Sequence, residues 1–128
     1  MPDPATIVIK AHPSAIKHAR EFIAMVFDGW GLRADDACTV VGELAANAVT
    51  HGSTEGDLVV IRAYLLNGRP VVEAWDRSDR PPVAGVPAPL AESGRGLLIM
   101  GTLVRNWGCR PLNGGGKVVY AELDAVPV

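Results

Sequence analysis

The sequence has few of the features that would commit it to a membrane, a disulfide scaffold or a nucleic acid. It holds only two cysteines, Cys38 and Cys109, far apart and without paired or ligand-like spacing, so neither a disulfide framework nor a cysteine metal site is expected. Packing is their expected role, in a reducing compartment. No apolar run approaches the roughly 20 residues that a membrane span needs. The opening MPDPATIVIK lacks a basic stretch followed by a long apolar core, so no leader is read there and the expectation is a soluble, cytoplasmic protein. Twelve basic residues against fourteen acidic ones give a net charge of -2 with no Lys/Arg cluster, which argues against nucleic acid as a direct partner. The three histidines share no ligand spacing, and no Ser-His-Asp arrangement can be assigned.

The 128 residues suit one domain over 1–128, long enough to bury roughly two thirds of the surface its unfolded chain exposes. A short apolar run at Thr6 to Ile9 comes first. Then Ala15, Ile16, Ala19, Phe22, Ile23, Val26 and Phe27 recur at spacings of three and four, which predicts an amphipathic helix opened by His12 or Ser14 with Pro13 and ended by Gly29 to Gly31. A second helix is predicted from Ala34–Asp36, whose acidic residues suit the positive end of the helix dipole, to about His51.

From Leu58 the residues become β-branched and aromatic on either side of Asn67-Gly68. That dipeptide between two apolar runs predicts a hairpin, Leu58 to Leu66 with Pro70 to Asp76. A Pro/Ala/Gly-rich loop without period follows, then a third helix over GRGLLIMGTLV, and two closing strands, Arg105 to Arg110 and Lys117 to Leu123. Strand, two helices, hairpin, loop, helix, hairpin is the order of an α+β two-layer sandwich, with helices on one face of a mixed, mostly antiparallel sheet.

Three constellations carry chemistry. In the second helix Asp36, Thr39, Glu43, Asn47 and Thr50 form one polar stripe. A solvated face accounts for it in the ordinary way. Yet the stripe has no Lys or Arg, and small neighbours at Gly42, Ala45, Ala46 and Ala48 allow close approach; Glu43 could act as a base, and Asn47 could offer an oxygen to a hard cation. In VEAWDRSD, alternation turns Asp76 to the same face as Val72 and Ala74. Such a carboxylate needs a donor, either its own turn or a ligand amine. Finally, SGRGLL puts Gly94 and Gly96 just before a helix, where free N–H groups suit phosphate. There is no GK[ST] ending, so this is not a P-loop. GGGK at Gly114 to Lys117 reads as a tight hairpin connection.

Taken in order, Glu43-X-X-X-Asn47, Asp76-X-Ser78 and Gly94-X-Gly96-Leu97 resemble the nucleotide-binding motifs of the superfamily of gyrase-type ATPases, Hsp90, histidine kinases and anti-sigma-factor kinases. ELAANAVTHG, WDRSDRPP and GRGLLIMGTLVRNWG are most similar to its small stand-alone members, serine/threonine kinases that act as anti-sigma factors. The resemblance implies the ATP-binding sandwich of that superfamily, ATP and Mg²⁺ as cofactors, and a partner-switching activity. The chain would phosphorylate a serine of an anti-sigma-factor antagonist and alternately bind a sigma factor. Relatives of this type are often dimers, which leaves a homodimer open.

By position, the resemblance makes Glu43 the general base, Asn47 the Mg²⁺ ligand and Asp76 the adenine-binding carboxylate, with Ser78 beside it. Gly94, Arg95, Gly96 and Leu97 would lie against the phosphates, and Arg80 to Glu92 would be the nucleotide lid. Ser78 stands where the family usually has glycine, and Glu92 where its best-known kinases carry a basic residue. These departures support the alternative of an ATP-binding regulatory module without significant kinase activity.

Overall fold

The computed structural model describes residues 3–51, 53–54, 56–78 and 101–128. The expected lid, the third helix up to residue 100, and Gly94, Arg95, Gly96 and Leu97 lie outside the described residues; 101–103 are helical.

Five strands form one sheet: β1 (Ala5–Lys10), β2 (Leu58–Leu66), β3 (Arg69–Asp76), β4 (Asn106–Pro111) and β5 (Lys117–Glu122). Their order is β1-β2-β3-β5-β4. Every pairing among the described residues is antiparallel, in keeping with the mostly antiparallel sheet expected. Helices α1 (Ile16–Gly29) and α2 (Asp35–His51) cover one face.

Local chemistry sets the boundaries. His12 caps a short 3-10 turn, Pro13–Ala15, by accepting the Ser14 amide on its side chain, and α1 continues from that turn. At the other end Gly31 N donates to Asp28 O and Leu32 N to Phe27 O, a pair of bonds that consumes carbonyls the helix leaves unmet. The β2–β3 hairpin turns on Asn67 (φ 53) and Gly68 (φ 79), the two positive φ values that the dipeptide was expected to supply.

The core lies between helices and sheet. Ala19, Ile23 and Phe27 of α1 are buried at spacings of four, and α2 buries Val40, Val41, Leu44, Ala45 and Ala48. Against them stand Val59, Ile61 and Ala63 of β2, Val72 and Ala74 of β3, and Val119 and Ala121 of β5. Gly42 permits the tight α1–α2 approach: a Cβ there would meet Arg20 Nε at 2.6 Å.

The outer face of the sheet is built around a buried carboxylate. Glu73 is 1% exposed and accepts from Tyr64 Oη at 2.9 Å, Trp75 Nε1 at 2.9 Å and Arg110 Nη2 at 3.2 Å. Three donors for one carboxylate explain how an outward residue is buried without an unpaired charge. Burial, then the hydrogen bond to Glu73, pushes the Tyr64 phenol up to about 12. A phenol whose proton is held more tightly in the folded chain stabilises the fold below its ordinary value near 10 and loses that contribution as the pH rises from 10 through 12. Absorbance titration at the phenolate band should therefore show one tyrosine ionising near pH 12, and Tyr64→Phe should remove that step and cost about 1 kcal/mol. Loss of a step near the ordinary value of 10 in Tyr64→Phe, in place of the one near 12, would remove the Glu73 contact as its cause.

Candidate functional site

The polar stripe of α2 is divided by its surroundings. Asp36, Thr39 and Thr50 are exposed, Glu43 is half-buried, and Asn47 is buried. Asn47 therefore does not belong to a solvated face. Its Oδ1 has no hydrogen-bond partner among the described residues, and an unmet buried carbonyl oxygen carries a desolvation cost that a fold ordinarily removes. Glu43 lies one helical turn earlier, about 6 Å along the axis.

Across from α2, β3 ends in Asp76. As alternation predicts, Val72, Ala74 and Asp76 are all buried on the helix-covered face. The carboxylate finds two donors. Its Oδ1 accepts the Ser78 amide at 2.8 Å, a local turn of the kind Asp-X-Ser favours, and the Lys117 ammonium at 2.9 Å. Its Oδ2 is buried with no partner among the described residues. Burial pushes the Asp76 carboxyl above the ordinary carboxylate range, and the Lys117 and Ser78 bonds pull against that rise.

Lys117 is a residue that sequence reasoning missed. GGGK reads as a turn, and Gly114 and Gly116 do have positive φ, but Lys117 is already the first residue of β5, directly opposite Asp76. The signal was the alternation Lys117, Val119, Ala121, which puts Lys117 on the face of two core residues. Gly116 holds this junction close: a Cβ there would run into the Asp76 carbonyl oxygen.

The two cysteines are chemically quiet. Cys109 and Cys38 are free and half-buried, packed against the core. Burial pushes both thiols up, which disfavours the reactive thiolate. Among the described residues no three His, Cys, Asp or Glu side chains gather as a metal cage, and no helix is long and apolar enough to cross a membrane.

α2 carries a half-buried carboxylate and a carboxamide oxygen, and β3, which packs against it, carries a second carboxylate oxygen, the last two buried and unmet among the described residues. Such a set can bind a ligand that offers a cation at one end and an amine at the other. The profile of the family described as "Histidine kinase-like ATPase domain" matches residues 9–122, a span that includes both elements. The chain belongs to that family, and is accordingly an ATP-binding domain. A solved structure with the same fold, "The crystal structure of the RsbU and RsbW domains of Rv1364c from Mycobacterium tuberculosis", superposes with a TM-score of 0.66 at 20% identity. The match covers 99% of this chain and 34% of that one, so this chain spans about a third of its length. No curated protein matches the sequence.

Proposed function

We propose that the chain is an ATP-dependent serine/threonine protein kinase that works as an anti-sigma factor, phosphorylating a serine of an anti-sigma-factor antagonist and alternately binding a sigma factor. Membership of the ATPase family supports the nucleotide, and likeness of fold to a chain that contains an RsbW domain is consistent with the switching role. The observation that carries the reading is a pair of buried oxygens, Asn47 Oδ1 and Asp76 Oδ2, that have no partner among the described residues. Both fit Mg²⁺–ATP.

Asn47 would hold the magnesium ion through Oδ1, a hard neutral donor suited to a cation that takes most of its other ligands from phosphate and water. When bound, the ion neutralises charge on the phosphates. Asp76 would accept the adenine amine on Oδ2. Glu43 would take the proton of the attacking serine hydroxyl as that oxygen bonds to the γ-phosphorus and the bond to the β–γ bridging oxygen breaks, leaving ADP and phosphoserine. Gly94, Arg95, Gly96 and Leu97 would line the phosphates, with Ser78 beside the base. The reading also places the chain in the cytoplasm, where sigma factors act.

The second reading, an ATP-binding anti-sigma module without kinase activity, is favoured by Ser78 and Glu92, which depart from the family pattern. Incubating the chain with γ-labelled ATP, Mg²⁺ and candidate antagonist proteins separates the two. A Mg²⁺-dependent phosphoserine on one antagonist is the expected result. ATP binding by calorimetry without any phosphoprotein would leave the module instead.

A further inference from the structure

Lys117 and Asp76 are neighbours across the β5–β3 ladder, with side chains 5% and 1% exposed and 2.9 Å between Nζ and Oδ1. A lysine ammonium carries three donors. Among the described residues one of them goes to Asp76 Oδ1. The carboxylate keeps Oδ2 without a partner among the described residues. A buried acceptor with one oxygen unmet among the described residues therefore stands beside a buried ammonium.

Stability does not explain such a pair. An apolar pair of similar volume often holds a fold as well as a buried ion pair, and Asp76 Oδ2, buried without a partner among the described residues, adds a desolvation cost. The surrounding register positions are Val72, Ala74, Val119 and Ala121, so the local environment would accept apolar residues at both sites. The close junction at Gly116 presses the start of β5 against the end of β3, and the backbone thus fixes the spacing of the two charged groups.

We propose that Lys117 and Asp76 together read the Watson–Crick edge of the bound base, Asp76 Oδ2 accepting from the 6-amino group and Lys117 Nζ donating to N1. This makes Lys117 a specificity-determining residue for 6-aminopurines, and it rests on the reading of the chain as an ATP-binding protein. Adenine presents a donor at position 6 beside an acceptor at N1, the complement of a carboxylate beside an ammonium. Guanine inverts both: O6 accepts and N1–H donates. In the same orientation it would oppose acceptor to acceptor at Asp76 and donor to donor at Lys117, an arrangement that selects by repulsion as well as attraction.

Isothermal titration of the intact chain with Mg²⁺ and four nucleotides tests this: ATP, GTP, purine riboside triphosphate, which lacks the 6-amino group, and 1-deaza-ATP, which has C–H in place of N1. Each of the last three should bind about tenfold or more weaker than ATP, the loss expected when a hydrogen bond to a charged buried group goes unmade. Lys117→Met should make ATP and 1-deaza-ATP equal, whereas Lys117→Gln, which keeps a donor, should preserve part of the difference. Equal binding of ATP and 1-deaza-ATP by the parent chain overturns the proposal without any variant having to fold. So does tighter ATP binding by Lys117→Met, which would make the lysine a competitor of the base. If the parent binds none of the four, the ATP-binding reading itself fails, a result distinct from a flat response to 1-deaza-ATP.

Discussion

Glu43→Gln is expected to lower phosphoryl transfer by about 10²–10⁴-fold, the usual contribution of a positioned general base, with ATP affinity unchanged. The separation follows from where the side chain sits. Glu43 is half-buried on α2, one turn before Asn47, so its loss leaves the proposed metal ligand and the base-binding end on β3 intact. Glutamine keeps the shape and the helix propensity and cannot take a proton. Glu43→Ala should behave alike, since alanine is the best helix former. Single-turnover transfer together with calorimetric ATP titration reads both quantities, and a loss confined to the rate constant marks an interaction made in the transition state alone. Transfer by Glu43→Gln at the parent's rate would end the assignment of Glu43 as base. A parallel fall in ATP affinity and thermal stability would mean that the residue packs the site rather than working in it.

How much of this site was legible in the sequence depended on the range of the interactions involved. Features set by a few neighbouring residues were readable: the Asn67-Gly68 turn, the opening at His12–Pro13, and the inward face of Asp76, which follows from period-two alternation with Val72 and Ala74. The polar stripe of α2 was readable as a stripe but not in its burial. Asp36 and Asn47 share a helix face, and only the packing of α2 over the sheet makes one exposed and the other buried. Lys117 was missed because its meaning lies in a pairing. β5 inserts between β3 and β4, and nothing local says that the first residue after a glycine turn will face Asp76, 41 positions earlier. Glu73 repeats the lesson on the other face. Alternation sends it outward, where a charge is ordinarily solvated, and its burial depends on Arg110, 37 positions away, and Tyr64 across the hairpin.

Asp76→Val alone is expected to destabilise the chain by about 3–5 kcal/mol, because it strands the Lys117 ammonium in a buried site. For a domain of this size that is a fall in Tm on the order of 10–20 °C. Lys117→Met should cost less and should depend on pH. Burial already pushes the Asp76 carboxyl up against the pull of Lys117; with the lysine gone the pKa rises further, and the folded chain then holds the proton more tightly than the unfolded one. That contribution is fully present below the unfolded carboxylate value and is lost as the pH rises through the raised folded value. Lys117→Met should therefore lie closest to the parent's stability in mild acid and fall behind it toward neutral and alkaline pH. The double variant, Asp76→Val with Lys117→Met, removes both charges and should regain most of the lost stability, since an apolar pair in a buried setting is close to neutral or better. It should still bind ATP far more weakly than the parent. Urea denaturation of the four chains of this cycle gives the coupling between the two residues, and calorimetry on the same four gives ATP affinity. Recovered stability with lost affinity would show that the charges are kept for the ligand. A double variant as unstable as Asp76→Val would instead make the ion pair a structural necessity, and one that binds ATP like the parent would remove Asp76 from the nucleotide site.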